Sequence, residues 1–266
     1  MYKLNNATPL PDYIVDNKFI PTSFLTFPHP ADPTVMDTRF ANTDSPDKFA
    51  KNLKEQPLDW HYKNKEITYT INSNGYREQE WHEIDWAESI VVIGCSMTAG
   101  IGVAADETIT HFLSRLSNRK VVNLGLSGVG IDGMLFNNIA LQRNFPKPWA
   151  VVNLWTNLDR MIEFLGHRVE FHGIWSKAKY FKEHNRNEMN SIVKDIFYSE
   201  AVKQMWKGSR VYYGTFFEIT SHYFECDFLE FTNTARDMLH CGRNDNRKNA
   251  QIIWDTLSRQ KVKKKV

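Results

Sequence analysis

The chain has 266 residues, of which 42% are hydrophobic and 24% are charged. This length and composition are those of a globular protein with one large domain, or one domain and an extension, and they exclude a chain that is disordered throughout. The 33 basic and 31 acidic residues leave a formal net charge of +2, so the chain as a whole offers no electrostatic basis for binding nucleic acid.

Proline sets the first part of the chain apart from the rest. Eight of the ten prolines lie at or before position 57. Because proline lacks a backbone N–H and resists helix interiors, this stretch is predicted to be mostly irregular or extended. Its aromatic residues indicate an N-terminal extension, residues 1–85, that packs on the body of the protein. Within it, the β-branched and aromatic run at 67–71 predicts a strand, and residues 72–75 predict a turn.

After residue 89 the pattern changes to strands that alternate with helices. Short apolar runs predict buried strands at residues 90–94, 120–124, 150–155 and 210–214. Apolar residues at helical spacing predict helices near 107–118, 132–143, 187–207 and 244–260. This alternation favours parallel βαβ units with right-handed crossovers. We assign the main domain to residues 86–260 and a solvated basic tail to residues 261–266.

The cysteines and the first residues bear on where the protein is expected to reside. Cys95, Cys226 and Cys241 form no CxxC pair and leave an odd count, which argues against a disulfide framework. The first residues lack the apolar stretch of a signal peptide, and no apolar run approaches the ~20 residues that span a bilayer. The prediction is a cytoplasmic protein that does not bind membranes. Its oligomeric state is not predicted.

Side chains that can take part in catalysis follow the predicted strands, at the edge of the sheet where α/β proteins have their active sites. Ser96 follows the first buried strand, and a serine hydroxyl needs a base and a group that orients that base. Asp237 and His240, three residues apart and after the last predicted strand, supply both. The N–H groups of Ser96 and Gly128 and the side-chain amide of Asn157 would stabilise the developing oxyanion.

Four blocks of the chain, in order, resemble the SGNH (GDSL-type) hydrolase family. They are Gly94–Gly100 as the nucleophile block, Asn123–Gly128 as the glycine block, Asn157 as the asparagine block and Asp237–His240 as the terminal Asp-x-x-His block. The resemblance covers roughly residues 67–260. It implies a three-layer α/β/α sandwich around a five-stranded parallel sheet, a flavodoxin-like architecture.

The same resemblance implies ester hydrolysis through an acyl-enzyme, without a metal or another cofactor. Ser96 would be the nucleophile, His240 the base and Asp237 the residue that orients it. The expected substrate is a small-molecule or carbohydrate ester, with a short acyl group such as acetyl on a sugar. Two other functions stay open, namely a binding module that has lost turnover and an acyltransferase that uses a sugar hydroxyl instead of water.

The blocks also depart from the family's usual pattern. Cys95 stands where the family usually has aspartate, and a thiol accepts hydrogen bonds only weakly. Trp155 replaces the glycine of the asparagine block, and we expect it to crowd the site and narrow the acyl pocket. Cys241 follows the histidine, where proline is frequent.

The candidate residues also have structural interpretations. Ser96 could cap the helix that follows it, and Asn157 could cap locally. Gly128 could be needed for a positive φ, a role that is compatible with donating its N–H. We expect Cys95 to be a small buried apolar group. The histidines show no metal-ligand spacing, so no metal site is predicted.

Overall fold

The computed structural model describes residues 36–165, 168–176 and 188–260. The predicted basic tail and the first 35 residues of the predicted extension lie outside this part of the chain. In chain order, the strands are β1 (Met36–Thr38), β2 (Tyr69–Ile71), β3 (Ile90–Gly94), β4 (Val121–Gly125), β5 (Ala150–Trp155), β6 (Met161–Leu165), β7 (Arg168–His172), β8 (Val211–Thr215) and β9 (Asp227–Phe228). The α-helices are α1 (Pro46–Glu55), α2 (Ser96–Ala99), α3 (Ile109–Ser117), α4 (Ile131–Asn144), α5 (Glu188–Met205), α6 (Glu218–Tyr223) and α7 (Arg243–Arg259).

A five-stranded parallel sheet in the order β4-β3-β5-β8-β9 forms the centre of the fold. Every residue of β3, β4 and β5 is buried, as expected for strands that are covered on both faces. Helix α3 packs against α7, and α4 packs against α5. The sheet and these helices confirm the predicted three-layer α/β/α fold class.

The register of the strands sets the position of the site. Gly94, the last residue of β3, pairs with Gly125 of β4 and Leu154 of β5. The turns after these three strands therefore meet at one edge of the sheet, where the sequence predicted the chemistry to lie.

The segment before the sheet contains a helix that the sequence analysis did not predict. Residues 46–55 form α1, so the expectation of irregular or extended chain up to position 57 is wrong there. Ser45 Oγ accepts a hydrogen bond from the backbone N–H of Lys48 at 3.3 Å, and Pro46 stands in the first turn of the helix. Proline is compatible with that position because the N–H that it lacks would have no helical partner.

This segment shares a small core with the main domain. Buried side chains from both sides form it, namely Tyr62, Ile67, Tyr69, Ala99, Ile101, Val103, Ala104 and Ala235. Strands β1 and β2 pair antiparallel, and Tyr69 of β2 belongs to this core. The segment therefore contacts both the chain that follows the first buried strand and the loop before α7. Among the described residues, no helix is long and apolar enough to cross a membrane.

Candidate active site

Ser96 lies at the carboxyl edge of the sheet, where β3 passes into α2. Cys95 precedes it in an extended conformation, and Ser96 is the first residue of the short helix. Helix α2 ends at Gly100, whose φ is 73°. Ser96 is 8% exposed, so its hydroxyl is largely shielded from solvent yet lines a cleft.

The structure brings Ser96, His240 and Asp237 together in one line. Ser96 Oγ lies 2.7 Å from His240 Nε2, and His240 Nδ1 lies 2.6 Å from Asp237 Oδ2. A carboxylate can only accept, so the proton of the neutral imidazole is on Nδ1. Nε2 is then free to accept the proton of the Ser96 hydroxyl, which is the arrangement that a nucleophile and its base require.

Asp237 is buried but has several hydrogen-bond donors. Its Oδ1 accepts from the backbone N–H groups of Leu239 at 3.1 Å and His240 at 3.2 Å, and its Oδ2 also accepts from Thr43 Oγ1 at 2.6 Å. Burial works to raise the pKa of Asp237, but the hydrogen bond and charge of His240 and the Thr43 hydroxyl outweigh it and lower the pKa to about 2. The carboxylate is therefore ionised at neutral pH.

A tight turn carries Asp237 and His240. Its backbone bonds run from Ala235 N–H to His240 C=O at 2.8 Å and from Met238 N–H to Ala235 C=O at 2.9 Å. Met238 has a φ of 59°. Gly102 lies against this turn with a φ of 79°, and a Cβ there would come within 3.1 Å of Asp237 Oδ1. The close approach of Gly102 therefore requires glycine.

Two of the three residues predicted to stabilise the oxyanion line the cleft that contains Ser96. Ser96 and Gly128 both line it, and neither N–H donates to another residue in the described ranges. Gly128 has a φ of 84°, and a Cβ on it would lie 3.3 Å from the ring of Trp175. Asn157 is not among the residues that line the cleft, and its Oδ1 accepts a hydrogen bond from the N–H of Leu158 at 3.0 Å.

The cleft has a volume of about 780 Å³ and aromatic walls. Trp175, 51% exposed, lines it beside Phe171 and Phe217. The guanidinium of Arg160 lies 5.3 Å from the ring centres of both Trp175 and Phe217, and its Nη1 donates to Thr156 Oγ1 at 2.8 Å. Trp175 and Arg160 were not predicted from the sequence, because neither lies in a block that resembles the family.

Trp155 does not crowd the site, so this expectation is wrong. Its side chain is fully buried, stacks on Tyr213 with ring centres 5.9 Å apart and meets Phe224 edge-on at 5.8 Å. These contacts place the indole in the core, away from the residues that line the cleft. Cys95 is buried in the same core, as expected of a small apolar side chain.

Glu163, Glu170 and His172 are side chains that could hold a cation. Their ligand atoms lie within 4.8 Å of one another, and Glu163 faces Glu170 across the β6–β7 hairpin. His172 Nε2 lies 3.0 Å from Glu163 and 4.0 Å from Glu170, and its Nδ1 lies 2.9 Å from Ser176 Oγ. Hydrogen bonds of the imidazole account for the cluster without an ion, and the absence of a metal site stays a prediction.

The sequence matches no protein-family model and no curated protein. Among solved structures, one similar chain is an acetyl xylan esterase from the rumen bacterium Butyrivibrio proteoclasticus, with 12% identity and a TM-score of 0.39 over 65% of this chain and 64% of that one. Another is a carbohydrate esterase family 2 enzyme with a carbohydrate-binding domain from Corynascus thermopiles, with 13% identity and a TM-score of 0.38 over 64% and 67% of the two chains. A third is a lipolytic protein of the G-D-S-L family from Veillonella parvula, with 12% identity and a TM-score of 0.38 over 65% and 99%.

Two of these similar structures are named as esterases and one as a lipolytic protein of the G-D-S-L family. The aligned part covers 64% of the length of the Butyrivibrio enzyme, which is less than two thirds. At 12–13% identity and with TM-scores of 0.38 and 0.39, no conclusion about this chain is drawn from these similarities.

Proposed function

We propose that the protein is a serine esterase that cleaves ester bonds through an acyl-enzyme. The observation that supports this most strongly is the unbroken line of hydrogen bonds from Ser96 Oγ to His240 Nε2 at 2.7 Å and from His240 Nδ1 to Asp237 Oδ2 at 2.6 Å. Both distances lie within the reach that proton transfer between a nucleophile, its base and an orienting carboxylate requires.

In the first half of the reaction, Ser96 Oγ attacks the ester carbonyl while its proton passes to His240 Nε2. The imidazolium that forms is stabilised by the ionised Asp237. The carbonyl oxygen becomes an oxyanion near the N–H groups of Ser96 and Gly128, which have no other partner among the described residues. When the tetrahedral intermediate collapses, the C–O bond breaks and His240 returns its proton to the leaving alcohol.

The second half repeats these steps with water. His240 Nε2 takes a proton from a water molecule, whose oxygen attacks the acyl carbon on Ser96. Collapse of this second intermediate releases the carboxylic acid, and Ser96 Oγ recovers its proton from His240. The chain's own residues therefore balance every proton that moves.

We further propose that the substrate is a short acyl ester, such as acetyl, on a carbohydrate. The half-exposed indole of Trp175 in the cleft offers an apolar face with a polar edge, and such a face suits the C–H side of a sugar ring. The same ring lies close above Gly128. This leaves little room for a long acyl chain on that side of the oxyanion.

The direct test is the hydrolysis of p-nitrophenyl acetate by the wild type and by Ser96→Ala. Loss of the nucleophile is expected to lower kcat by about 10⁴-fold or more. Ser127→Ala is the matched control, because Ser127 lines the same cleft but does not bond His240, and it should stay within a few-fold of wild type. Equal rates for wild type and Ser96→Ala would refute the proposal.

A binding module without turnover is a second candidate, favoured by the position of Asn157. With its Oδ1 bound to the N–H of Leu158 and its side chain outside the cleft lining, one of the three expected oxyanion donors is not in place. Such a module would bind an acetylated oligosaccharide in calorimetry and leave it intact. Release of acetate at a rate that depends on Ser96 would exclude it.

A further inference from the structure

We propose that Thr43 is a positioning residue of this site: its hydroxyl holds the Asp237 carboxylate in the orientation that aligns His240 with Ser96. The inference rests on the proposed function and deepens it. It gives the segment before the α/β domain a part in aligning the catalytic residues, beyond the packing on the body of the protein that the sequence predicts.

Thr43 contacts the Asp237 carboxylate directly. Thr43 Oγ1 lies 2.6 Å from Asp237 Oδ2, the oxygen that also accepts from His240 Nδ1 at 2.6 Å. Because an ionised carboxylate only accepts, the hydroxyl must be the donor. A hydrogen bond to a charged group is the strong kind, short and directional.

The hydrogen bond from Thr43 differs from the other hydrogen bonds to Asp237 in where its donor lies in the chain. Oδ1 accepts from the N–H groups of Leu239 and His240, and Oδ2 accepts from the His240 ring, so these donors all belong to the same turn. Thr43 is 194 positions away in the chain. The other donors move with the Asp237 turn, so they cannot hold the carboxylate in place relative to the rest of the protein. Among the described residues, Thr43 is the donor that can do so.

The backbone presents Thr43 rigidly. Ala41 and Asp44 exchange two backbone hydrogen bonds, each 3.0 Å long, and close a turn with Asn42 and Thr43 at its tip. Asn42 has a φ of 56°, a conformation that asparagine tolerates better than most residues. The hydroxyl therefore projects from a closed turn and not from a loose loop.

The turn that carries Thr43 is also anchored next to Asp237. The Asp44 carboxylate accepts from Arg236 Nε at 2.9 Å and from Arg236 Nη2 at 2.7 Å, and Arg236 directly precedes Asp237. Tyr69 OH donates to Asp44 Oδ2 at 2.6 Å and accepts from the N–H of Gly102 at 2.8 Å. Since Asp44 and Arg236 are both buried, this anchor fixes Thr43 against both the Asp237 turn and the chain that follows α2.

The test compares Thr43→Val, Thr43→Ser and Thr68→Val. Valine keeps the shape of threonine and removes the hydroxyl, whereas serine keeps the hydroxyl and removes the methyl group. Thr68→Val is the matched control. Thr68 lies exposed in the same segment, and its hydroxyl bonds no catalytic group. Each variant is assayed for kcat and KM with p-nitrophenyl acetate, for the rate of fluorophosphonate labelling of Ser96 and for its unfolding temperature.

Thr43→Val is expected to lower kcat and the labelling rate by roughly 10- to 100-fold, the fold-change that matches one lost hydrogen bond to a charged group. KM should stay close to wild type and the unfolding temperature should fall by several degrees, while Thr43→Ser should restore most of kcat and Thr68→Val should behave as wild type. A Thr43→Val protein with wild-type kcat and labelling rate would overturn the inference. So would a rise in KM alone, which would make Thr43 a substrate contact, or a Thr43→Ser protein as slow as Thr43→Val.

A second readout separates the inference from the proposed function. If wild type neither hydrolyses esters nor reacts with the probe, the esterase proposal fails, but the proton on His240 Nδ1 can still be followed by NMR of ¹⁵N-histidine protein. Faster exchange of this proton with water in Thr43→Val than in Thr43→Ser would support the positioning contact. Equal exchange in the two variants would overturn it.

Discussion

Two carboxylates buried to the same degree behave in opposite ways in this protein. Asp237, in the turn before α7, and Asp195, in the middle of α5, are each 1% exposed. Asp237 accepts hydrogen bonds from Thr43, Leu239 and His240, whereas neither oxygen of Asp195 has a hydrogen-bond partner among the described residues.

The pKa values of the two groups follow their partners and not their depth. Burial raises the pKa of Asp195 to about 8, and the charges of Asp132 and Asp159 add to this while Lys194 opposes it. In Asp237 the same effect of burial is outweighed, and its pKa is lowered to about 2. Donors aimed at a buried carboxylate thus decide whether it is ionised, and of these two carboxylates Asp237 is the one that is an anion near neutral pH and can orient a histidine.

The largest effect is expected from Asp237→Asn, which removes the charge that stabilises the imidazolium. An asparagine can also donate to His240 Nδ1 and so impose the wrong tautomer. In a serine triad this change lowers kcat by about 10⁴-fold, and we expect a loss of that order for p-nitrophenyl acetate. Asp59→Asn, at an exposed position, is the control. An Asp237→Asn enzyme with more than about a tenth of wild-type kcat would contradict the role of the carboxylate.

The next largest effect is on stability, through the pair that anchors the Thr43 turn. Asp44→Ala leaves the Arg236 guanidinium, 4% exposed, without its bidentate partner. Removing one member of a buried ion pair costs about 3–5 kcal/mol in the free energy of unfolding. Urea titration followed by circular dichroism measures it, with Asp47→Ala at an exposed position as the control. A cost as small as that of the control would show that the pair does not hold the segment in place.

A smaller effect is expected where the chain after α2 meets the Asp237 turn. Gly102→Ala would place a Cβ 2.8 Å from Ala235 Cβ and 3.1 Å from Asp237 Oδ1, whereas Gly208, with a similar positive φ, has nothing within 4 Å. In both Gly102→Ala and Gly208→Ala, the positive φ lowers the free energy of unfolding by about 1–2 kcal/mol. Only Gly102→Ala should also lower kcat, because only it pushes on the carboxylate. Equal kcat losses in the two variants would mean that the contact with Asp237 is unimportant.

The last prediction tests the comparison at Asp195, where the effect on stability depends on pH. Because the pKa of Asp195 is raised from 3.8 to about 8 in the fold, the native state binds a proton that the unfolded chain releases, and stability falls as the pH rises through this range. Asp195→Asn does not lose stability in this way, because an amide does not titrate in this range. The free energy of unfolding of the variant, relative to wild type, should therefore rise with pH between about 4 and about 8.

At about pH 4 the two proteins should be similarly stable, because the carboxyl group of wild type is protonated there and is, like the amide, buried without a hydrogen-bond partner among the described residues. Urea titrations of both proteins at several pH values measure the difference. A difference that does not change with pH would show that Asp195 is ionised in the native state.

The sequence predicted the parts of the molecule that are encoded locally. The buried runs of β3, β4, β5 and β8 carry the β-branched signature of a covered sheet, and the order of Ser96, Asp237 and His240 follows the family blocks. Strand β9 has two residues, too few for any periodicity to show.

What the sequence could not predict depends on contacts between distant residues. The bond from Thr43 to Asp237 joins positions 194 apart, and no local pattern marks either partner for the other. Trp155 was misplaced for the same reason, because its orientation is set by Tyr213 and Phe224 in the core. Trp175 follows the β6–β7 hairpin, whose strands were not predicted, so its place in the cleft appears only in the folded chain.

The most direct test of the central claim is to trap the intermediate on the nucleophile. A reaction with p-nitrophenyl acetate is quenched in acid within the first turnovers, and the digested protein is mapped by mass spectrometry. The account predicts one acetyl group on Ser96 in wild type and none in Ser96→Ala. Acetyl on another side chain, such as Cys95, or turnover of the ester without any adduct on Ser96, would contradict it.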